Sequence, residues 1–388
     1  DHMIPTTYTH LDHLPTTPNG KLDRKALPAP QAAARPYEPP RDELDQRLAT
    51  IWQEILGVER VGIHDDFFEL GGHSLLALRL AMRLRQELDR EVPVATVLAA
   101  PTVELLTAAL RDEGEGPLSS GRVVPLRTTG DRPPLFLVHA LGGQVFRYRP
   151  LAQRLGADQP VYAIPAHGLT AGDEVQTSLE EMAETYAGYI RAVRPAGPYF
   201  VGGFCIGGNI ALEVARRLRE AGERVPYVFL AWSSADEPVV RDTLEDDTAL
   251  MTHALAGSLE SVDPAELGEL DPAERLLSIV NAATREGSLK TETDDLEQIH
   301  RYVEVFRANA HAVGRYRHAP YDAPAVLLIP EEDNAPPEED FGWRAVIPGL
   351  ETGPIPGARF SSLYEPFVSR TALEWKRWMD RGLGHADH

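Results

Sequence analysis

The chain contains one cysteine, Cys205, at the centre of the pentapeptide 203–207, which reads Gly-Phe-Cys-Ile-Gly. This is the G-x-S-x-G pattern of a nucleophile elbow with sulfur in place of oxygen. An apolar run at 199–203 precedes the cysteine and a helix-forming stretch at 209–219 follows it, which is the context that the pattern requires. A helix N-terminus favours a thiolate, so we predict that Cys205 is a nucleophile. The alternative is a buried, inert cysteine in a glycine-rich turn.

A second candidate residue is Ser74, which closes the stretch 65–74, Asp-Asp-Phe-Phe-Glu-Leu-Gly-Gly-His-Ser. Apolar residues recur at helical spacing on both sides of this stretch, in 44–56 and 75–84. A serine at the start of a helix is most often an N-cap, and the local pattern alone favours that role. A chemical role for Ser74 therefore needs support from the wider sequence.

Composition narrows the class of protein. The 388 residues are sufficient for two or three domains, and 43% hydrophobic with 25% charged residues is typical of globular protein. No apolar run approaches the ~20 residues of a membrane helix, and the formal charge of −21 argues against a nucleic-acid partner. A single cysteine excludes internal disulfides and is typical of a reducing compartment. We expect a cytoplasmic protein with no membrane, nucleic-acid or metal partner.

Changes of composition divide the chain into four parts. Residues 1–40 contain a Pro-Asn-Gly turn signal at 18–20 and then a proline- and alanine-rich linker. Residues 41–112 have helical periodicity and are predicted to form a small helical bundle. The polar stretch 113–121 is predicted to be a second linker, and 122–388 is the fourth part.

The part 122–388 alternates strand patterns with helical patterns, which predicts a mostly parallel sheet covered by helices on both faces. The stretch 242–317 has helical patterning without a strand, so we interpret it as a helical lid inserted over the site. The predicted strands are 135–139, 161–164, 199–202, 227–231 and 325–329, and the predicted helices are 179–193, 210–219 and 366–379.

Three stretches together resemble the end of a nonribosomal peptide synthetase. The heptapeptide 18–24, Pro-Asn-Gly-Lys-Leu-Asp-Arg, resembles the closing motif of an adenylation domain, whose lysine, here Lys21, contacts the acyl-adenylate in that family. We expect Lys21 to have no catalytic role here, because the rest of such a domain is absent from this sequence. The stretch 66–74 resembles the peptidyl carrier motif, which implies that Ser74 carries covalent 4′-phosphopantetheine. The implied partners are a phosphopantetheinyl transferase, upstream synthetase modules and a carrier-bound peptidyl thioester.

The part 122–388 is similar to the type I thioesterase domain of such synthetases, which is an α/β-hydrolase. The heptapeptide 137–143, Leu-Val-His-Ala-Leu-Gly-Gly, matches the loop that supplies one oxyanion amide in that family. The resemblance implies that the backbone N–H groups of Ala140 and Ile206 form the oxyanion hole. The expected fold is a small four-helix carrier bundle followed by an α/β-hydrolase with a mostly parallel sheet and a helical lid insertion.

The catalytic triad that the family uses is altered at all three positions. The nucleophile is Cys205 in place of serine. The family's aspartate follows a strand in a Leu-Leu-Asp-Ser pattern, and that position holds Trp232 here. The family's histidine lies in a Val-Pro-Gly-Asp-His-Phe-Ser pattern, and the corresponding stretch 355–361 places Arg359 there. Arginine cannot act as a base, because it stays protonated near neutral pH.

Three interpretations of the altered triad are open. The domain is an inactive platform that binds the carrier, or another histidine or acid has become the base, or the chemistry proceeds without a histidine base. We favour the third, because a thiol is a few per cent ionised near neutral pH and more so beside a cation such as Arg359. Acyl transfer to an amine or thiol, as in cyclisation or amide formation, is then favoured over hydrolysis, because water needs a base. Other candidate bases and acids are His139, His167, His253, His300, His311, His318, Asp236 and 331–333.

Overall fold

The adenylation-like stretch with Lys21, the linker 113–121, His253 and most of the predicted lid lie outside the residues whose structure is described. The computed structural model describes residues 37–68, 70–72, 74–88, 92, 96–97, 100–111, 122–169, 173–236, 251, 267, 270–271, 274–275, 277–279, 282, 296–333 and 340–384.

The first described segment is helical, and its helices are α1 (Glu43–Leu56), α2 (Ser74–Leu88) and α3 (Val103–Arg111). Asp42 caps α1 by accepting hydrogen bonds from two backbone N–H groups of the first turn, and Gly57 ends the helix with φ 66. The fully buried rings of Trp52 and Phe67 meet edge to face at a centroid distance of 5.0 Å. These helices agree with the predicted bundle as far as it is described.

A seven-stranded sheet forms the centre of the second segment. Its strands are β1 (Val124–Arg127), β2 (Leu135–Val138), β3 (Val161–Ile164), β4 (Phe200–Phe204), β5 (Val228–Ala231), β6 (Ala325–Pro330) and β7 (Glu351–Ile355). The spatial order is β1-β3-β2-β4-β5-β6-β7, in which β1 is antiparallel to β3 and all other neighbours are parallel. Residues that follow β2, β4, β5 and β7 therefore meet at one edge of the sheet, where α/β proteins place their sites.

Helices cover both faces of the sheet, and those with defined bounds are α4 (Arg149–Arg154), α5 (Leu179–Val193), α6 (Ile206–Glu220), α7 (Leu296–Arg315) and α8 (Val368–Gly384). Alternate strand residues point to opposite faces. Phe200 and Phe204 of β4 join the apolar cluster with α4 and α8, whereas Val201 joins the cluster with α5 and α6. No helix within the described residues is long and apolar enough to cross a membrane.

The observed elements differ from the predicted ones in two strands that were not predicted and in the start of one helix. The strands β1 and β7 were not predicted, because each contains a proline, Pro125 and Pro354, which is tolerated at the outer positions that these strands occupy. Helix α6 begins at Ile206, four residues before the predicted start. The two glycines Gly207 and Gly208 lower helix propensity there, and tertiary packing overrides them.

Trp375 anchors α8 to the sheet. Its ring is fully buried and stacks on Phe229 of β5 at a centroid distance of 4.6 Å and on Phe204 of β4 at 6.2 Å. Phe204 directly precedes Cys205, so this packing supports the strand end that carries the cysteine.

We expect Trp375→Ala to lower the free energy of unfolding by about 3–5 kcal/mol, because it leaves a cavity between α8 and the sheet. Leu373→Ala is the matched control, since Leu373 lies on the same helix and is 65% exposed; it should change stability by less than about 0.5 kcal/mol. Urea denaturation of the full chain measures both effects. Equal effects of the two substitutions would contradict the anchoring role of Trp375.

Candidate active site

Cys205 occupies a strained corner between β4 and α6. Its backbone has φ 54 and ψ −131, and a non-glycine residue rarely adopts a φ in this region. Glycines make the corner possible, since a Cβ on Gly203 would lie 2.4 Å from the carbonyl carbon of Gly207. The strand–turn–helix geometry predicted for the elbow is present, and Cys205 is partly exposed there.

The N-terminus of α6 lies directly against the end of β2. A Cβ on Gly207 would be 2.8 Å from the carbonyl oxygen of Val138 and 2.7 Å from that of His139. Ala140 follows His139 and Ile206 precedes Gly207, so each predicted oxyanion residue is the chain neighbour of a residue in this contact. The N–H of Ile206 has no acceptor within α6, because the first amides of a helix lack one. The role of Ala140 and Ile206 as oxyanion donors stays a prediction.

A buried hydrogen-bonded chain holds the loop at Ala140. His139 is fully buried; its Nδ1 lies 2.9 Å from the Ala140 carbonyl oxygen and its Nε2 lies 2.9 Å from the Tyr186 hydroxyl. A carbonyl only accepts, so Nδ1 carries the proton and Tyr186 donates to Nε2. The Tyr186 oxygen accepts the backbone N–H of His167. Burial lowers the pKa of His139 to about 4, so the ring is neutral, with Nδ1 bound to the loop and Nε2 bound to Tyr186 of α5.

Tyr148 ties together the two strand ends that carry the site. Its hydroxyl donates to the Val138 carbonyl oxygen at 2.6 Å and accepts the Phe204 N–H at 3.1 Å. Burial raises the pKa of Tyr148 above its usual range, and the nearby negative charge of a Cys205 thiolate adds to that rise. The Tyr148 hydroxyl therefore stays protonated and is close enough to respond to the charge of Cys205.

Arg147 places a positive charge in the same region. Burial raises the pKa of Tyr148, Tyr302 and Tyr364, and the Arg147 guanidinium opposes that rise in all three. These tyrosines come from the turn before α4, from helix α7 and from the segment after β7. No sequence pattern marks Arg147 as a site residue, because the three tyrosines around it meet only in the folded chain.

Helix α7, the described end of the predicted lid, covers the loop that follows β2. Asn309 donates from Nδ2 to the Leu141 carbonyl oxygen at 2.9 Å. A Cβ on Gly142 would lie 2.5 Å from the Tyr302 hydroxyl, and one on Gly143 would lie 3.0 Å from Val305. The lid helix thus packs on the backbone of the loop itself.

Trp232 and Arg359 both follow strands that end at the same edge of the sheet as β4. Trp232 follows β5 with φ 43, donates its N–H to the Leu328 carbonyl at 2.8 Å and packs against the apolar cluster on the α8 face. Arg359 begins the short 3-10 helix Arg359–Leu363 after β7. The side chain of Arg359 lies outside the described part of the structure, so its predicted approach to Cys205 stays a prediction.

Three of the candidate histidines use ring nitrogens in hydrogen bonds to other residues. His318 donates from Nε2 to the Asn209 side-chain oxygen at 2.7 Å, and burial lowers the pKa of His318 to about 4. His167 shares Nε2 with the Tyr189 hydroxyl at 2.6 Å, and burial lowers its pKa as well. His139 supports the loop at Ala140. Each of these rings has a structural role that the sequence pattern did not distinguish from a catalytic one.

Comparison with known proteins gives a consistent assignment for both segments. The chain matches the thioesterase domain family over residues 133–360 and the phosphopantetheine attachment site family over residues 46–110. It is 40% identical over 272 residues to a dimodular nonribosomal peptide synthase of Bacillus subtilis, covering 69% of this chain and 11% of the relative. It is 31% identical to the chondramide synthase of Chondromyces crocatus over 98% of this chain and 10% of the relative.

A solved structure covers both segments. The four-domain nonribosomal peptide synthetase bound to AMP and glycine has a TM-score of 0.61 and 32% identity to this chain, covering 97% of this chain and 29% of that protein. The chain belongs to the thioesterase family. Its two matched domains are a peptidyl carrier domain and an α/β-hydrolase thioesterase domain of the nonribosomal peptide synthetase type, as the sequence motifs predicted. The chain spans about a tenth of the length of these curated relatives.

The carrier domain is the attachment site of covalent 4′-phosphopantetheine. Ser74, the residue that the carrier motif assigns to it, is the first residue of the 15-residue helix α2 and follows a turn with Gly71 at φ 99. A Cβ on Gly72 would lie 2.3 Å from the Phe67 ring, so the turn packs closely on the carrier core. A helix N-terminus favours a phosphate, and the described residues therefore fit the group.

The buried histidines make stability depend on pH. The pKa values of His139 and His318 are lowered from 6.5 to about 4 in the folded protein, so the unfolded chain binds more protons between these values. Stability is therefore lost as the pH falls below 6.5. We expect the free energy of unfolding to fall by about 2 kcal/mol per histidine between pH 7 and pH 5.

Urea denaturation of wild type and His318→Gln at the two pH values measures this dependence. In the variant, the free energy of unfolding should fall less between pH 7 and pH 5, because the contribution of His318 is absent. His300→Gln is the control, because the His300 side chain is 63% exposed, and it should keep the wild-type dependence. An unchanged pH dependence in His318→Gln would contradict the assignment.

Proposed function

We propose that Cys205 accepts the acyl group of a peptidyl thioester carried on Ser74 and then passes it to an amine or a thiol. The observation that carries this proposal is the position of Cys205, which precedes the first residue of α6 with a backbone φ of 54. At this position it lies next to the contact between α6 and the end of β2. The domain would then be an acyl transferase or cyclase of the thioesterase family, with Ala140 and Ile206 as its oxyanion donors.

The surroundings of Cys205 favour the thiolate. The dipole of α6 favours negative charge at the helix N-terminus. Arg147 adds a positive charge that acts on Tyr148, the same hydroxyl that responds to Cys205. Arg359 is proposed as a second cation from the segment after β7. A nucleophile that is already a thiolate needs no base to deprotonate it.

The first step is a thioester exchange. Phosphopantetheine, when bound, supplies the thiol that carries the acyl group. The Cys205 sulfur attacks the carbonyl carbon, and the oxygen that becomes negative accepts hydrogen bonds from the N–H groups of Ala140 and Ile206. Each such donor contributes about 3–4 kcal/mol in related chemistry. The bond to the departing sulfur breaks, and that thiolate takes a proton from solvent, so charge and atoms balance.

The second step releases the acyl group from Cys205. An amine attacks the same carbonyl, loses a proton to solvent or buffer, and expels Cys205 as a thiolate; a thiol acceptor reacts in the same way. Water is a poorer nucleophile and needs a base. Helix α7 packs on the loop 141–143, and we expect this cover to limit the access of water, which would favour transfer over hydrolysis.

Intact-protein mass spectrometry tests the first step. We expect Ser74 to gain the cofactor mass when a phosphopantetheinyl transferase is supplied, and an acyl load on Ser74 to migrate to Cys205, because thioester exchange is nearly even in energy. Iodoacetamide should label native Cys205 and block the migration. Ser74→Ala should not gain the cofactor mass, and Cys205→Ala should keep the load on Ser74.

An acyl load that never leaves Ser74 in the wild type would instead identify a platform that binds the carrier without turnover. Release that continues unchanged in Cys205→Ala would mean that this cysteine is structural.

The double variant Arg359→His with Trp232→Asp tests whether the altered triad residues reflect a changed mechanism. It restores the family's histidine and aspartate at their motif positions; if these positions approach Cys205 as proposed, hydrolysis should rise relative to transfer because water gains a base. The measurement is the ratio of hydrolysed acid to transferred or cyclised product from a carrier-bound thioester. Efficient hydrolysis by the wild type, with no effect of Arg359→Ala, would instead indicate a different base, with His311 as the first residue to test.

A further inference from the structure

One ion pair joins the carrier domain to the thioesterase domain. Arg149, the first residue of α4, donates from Nη1 to Oδ1 of Asp66 at 3.1 Å and from Nη2 to Oδ2, in a two-pronged contact between residues 83 apart in sequence. The side chains of Arg149 and Asp66 are 19% and 8% exposed. The same guanidinium lies over the ring of Phe68 at 5.2 Å from its centroid. Two-pronged pairs of this kind are directional and stronger than exposed ones.

On the carrier side, the contact reaches the turn that presents Ser74. Oδ1 of Asp66 also accepts the N–H of Phe68 at 2.9 Å, and the Asp66 carbonyl accepts the N–H of Leu70 at 3.0 Å. Asp66 thus shapes the turn that ends at Gly72, two residues before the start of α2 at Ser74. Arg149 binds the residue that organises this turn.

On the thioesterase side, the contact is next to the catalytic strand ends. Arg149 directly follows Tyr148, whose hydroxyl joins the ends of β2 and β4. Phe146, three residues before Arg149, packs against the same apolar cluster as Phe68 and Leu70 of the carrier turn. That cluster contains buried residues of both domains. The two domains therefore share apolar packing as well as the ion pair.

We propose that residues 66–68 and 70–72 of the carrier turn and the segment 146–149 form the docking contact through which this chain's own carrier domain presents Ser74 to the thioesterase site. Both domains belong to one chain, so the contact forms intramolecularly at an effective concentration on the order of mM, and a modest interaction is sufficient. The largely buried charge pair supplies specificity, because a wrong partner leaves Arg149 without its carboxylate. Docking itself is independent of the proposed function. The effect of docking on acyl delivery rests on the proposed function.

Deuterium exchange of the full chain tests docking directly. Arg149→Gln removes the charge, and Asp66→Asn does so while keeping an oxygen for the N–H of Phe68. Each single variant should increase exchange in 66–72 and 146–151, and the double variant should resemble each single one, because the two residues act through one contact. Arg154→Gln is the matched control, since Arg154 lies on the same helix in an exposed pair with Glu365.

Unchanged exchange in Arg149→Gln, additive effects in the double variant, or protection that depends on protein concentration would overturn the proposal. Cofactor loading of Ser74 in each variant shows that the carrier domain is folded.

Single-turnover acylation tests delivery. Transfer from Ser74 to Cys205 should slow about tenfold in Arg149→Gln, which corresponds to a loss of roughly 1.4 kcal/mol of docking free energy. Acylation of Cys205 by a free small-molecule thioester, which does not use the carrier, should stay within about twofold of wild type because the cysteine is untouched. Unchanged delivery from Ser74 in Arg149→Gln would overturn the delivery role. If neither donor acylates Cys205 in the wild type, the proposed function fails, and the exchange experiment still decides whether the domains dock.

Discussion

The contact of Gly207 with the carbonyl groups of Val138 and His139 is the constraint on which the candidate site depends. It brings the N-terminus of α6 against the end of β2, and no side chain larger than hydrogen fits between them. The same approach forces Cys205 into its left-handed φ, which the parallel sheet and the buried faces of α6 maintain. The geometry of the site is therefore a property of the backbone and does not require a serine at its centre.

Buried polar groups around this contact hold the loop after β2 and the strand ends in place. His139 and Tyr186 support the loop from one side, and Tyr148 joins the strand ends from the other. Both ring nitrogens of His139 are used in this support, which makes it a structural residue inside a site where a histidine base is expected. Arg147 contributes a positive charge that acts on Tyr148, which the charge of Cys205 also affects. Under the proposed function, such a cation would favour a thiolate over a hydroxyl nucleophile.

The sequence was sufficient for features that are encoded in short stretches. The elbow at Cys205 and the buried parallel strands were predicted because each has a local pattern of glycines or apolar residues. The edge strands β1 and β7 were missed because their prolines are acceptable only at positions that the sheet order defines. Arg147, and the pairing of Arg149 with Asp66, had no local signal at all, because their partners are distant in sequence and meet only after folding.

The hydrogen bond from Asn309 to the Leu141 carbonyl couples helix α7 to the loop that follows β2. Helix α7 cannot lift from this loop without breaking the bond and removing Tyr302 from Gly142. Under the proposed function, lifting of α7 would therefore loosen the loop that carries the oxyanion donor Ala140. Opening and carbonyl activation would then exclude each other in time, so an acyl group on Cys205 would be least electrophilic while it is most exposed to bulk water.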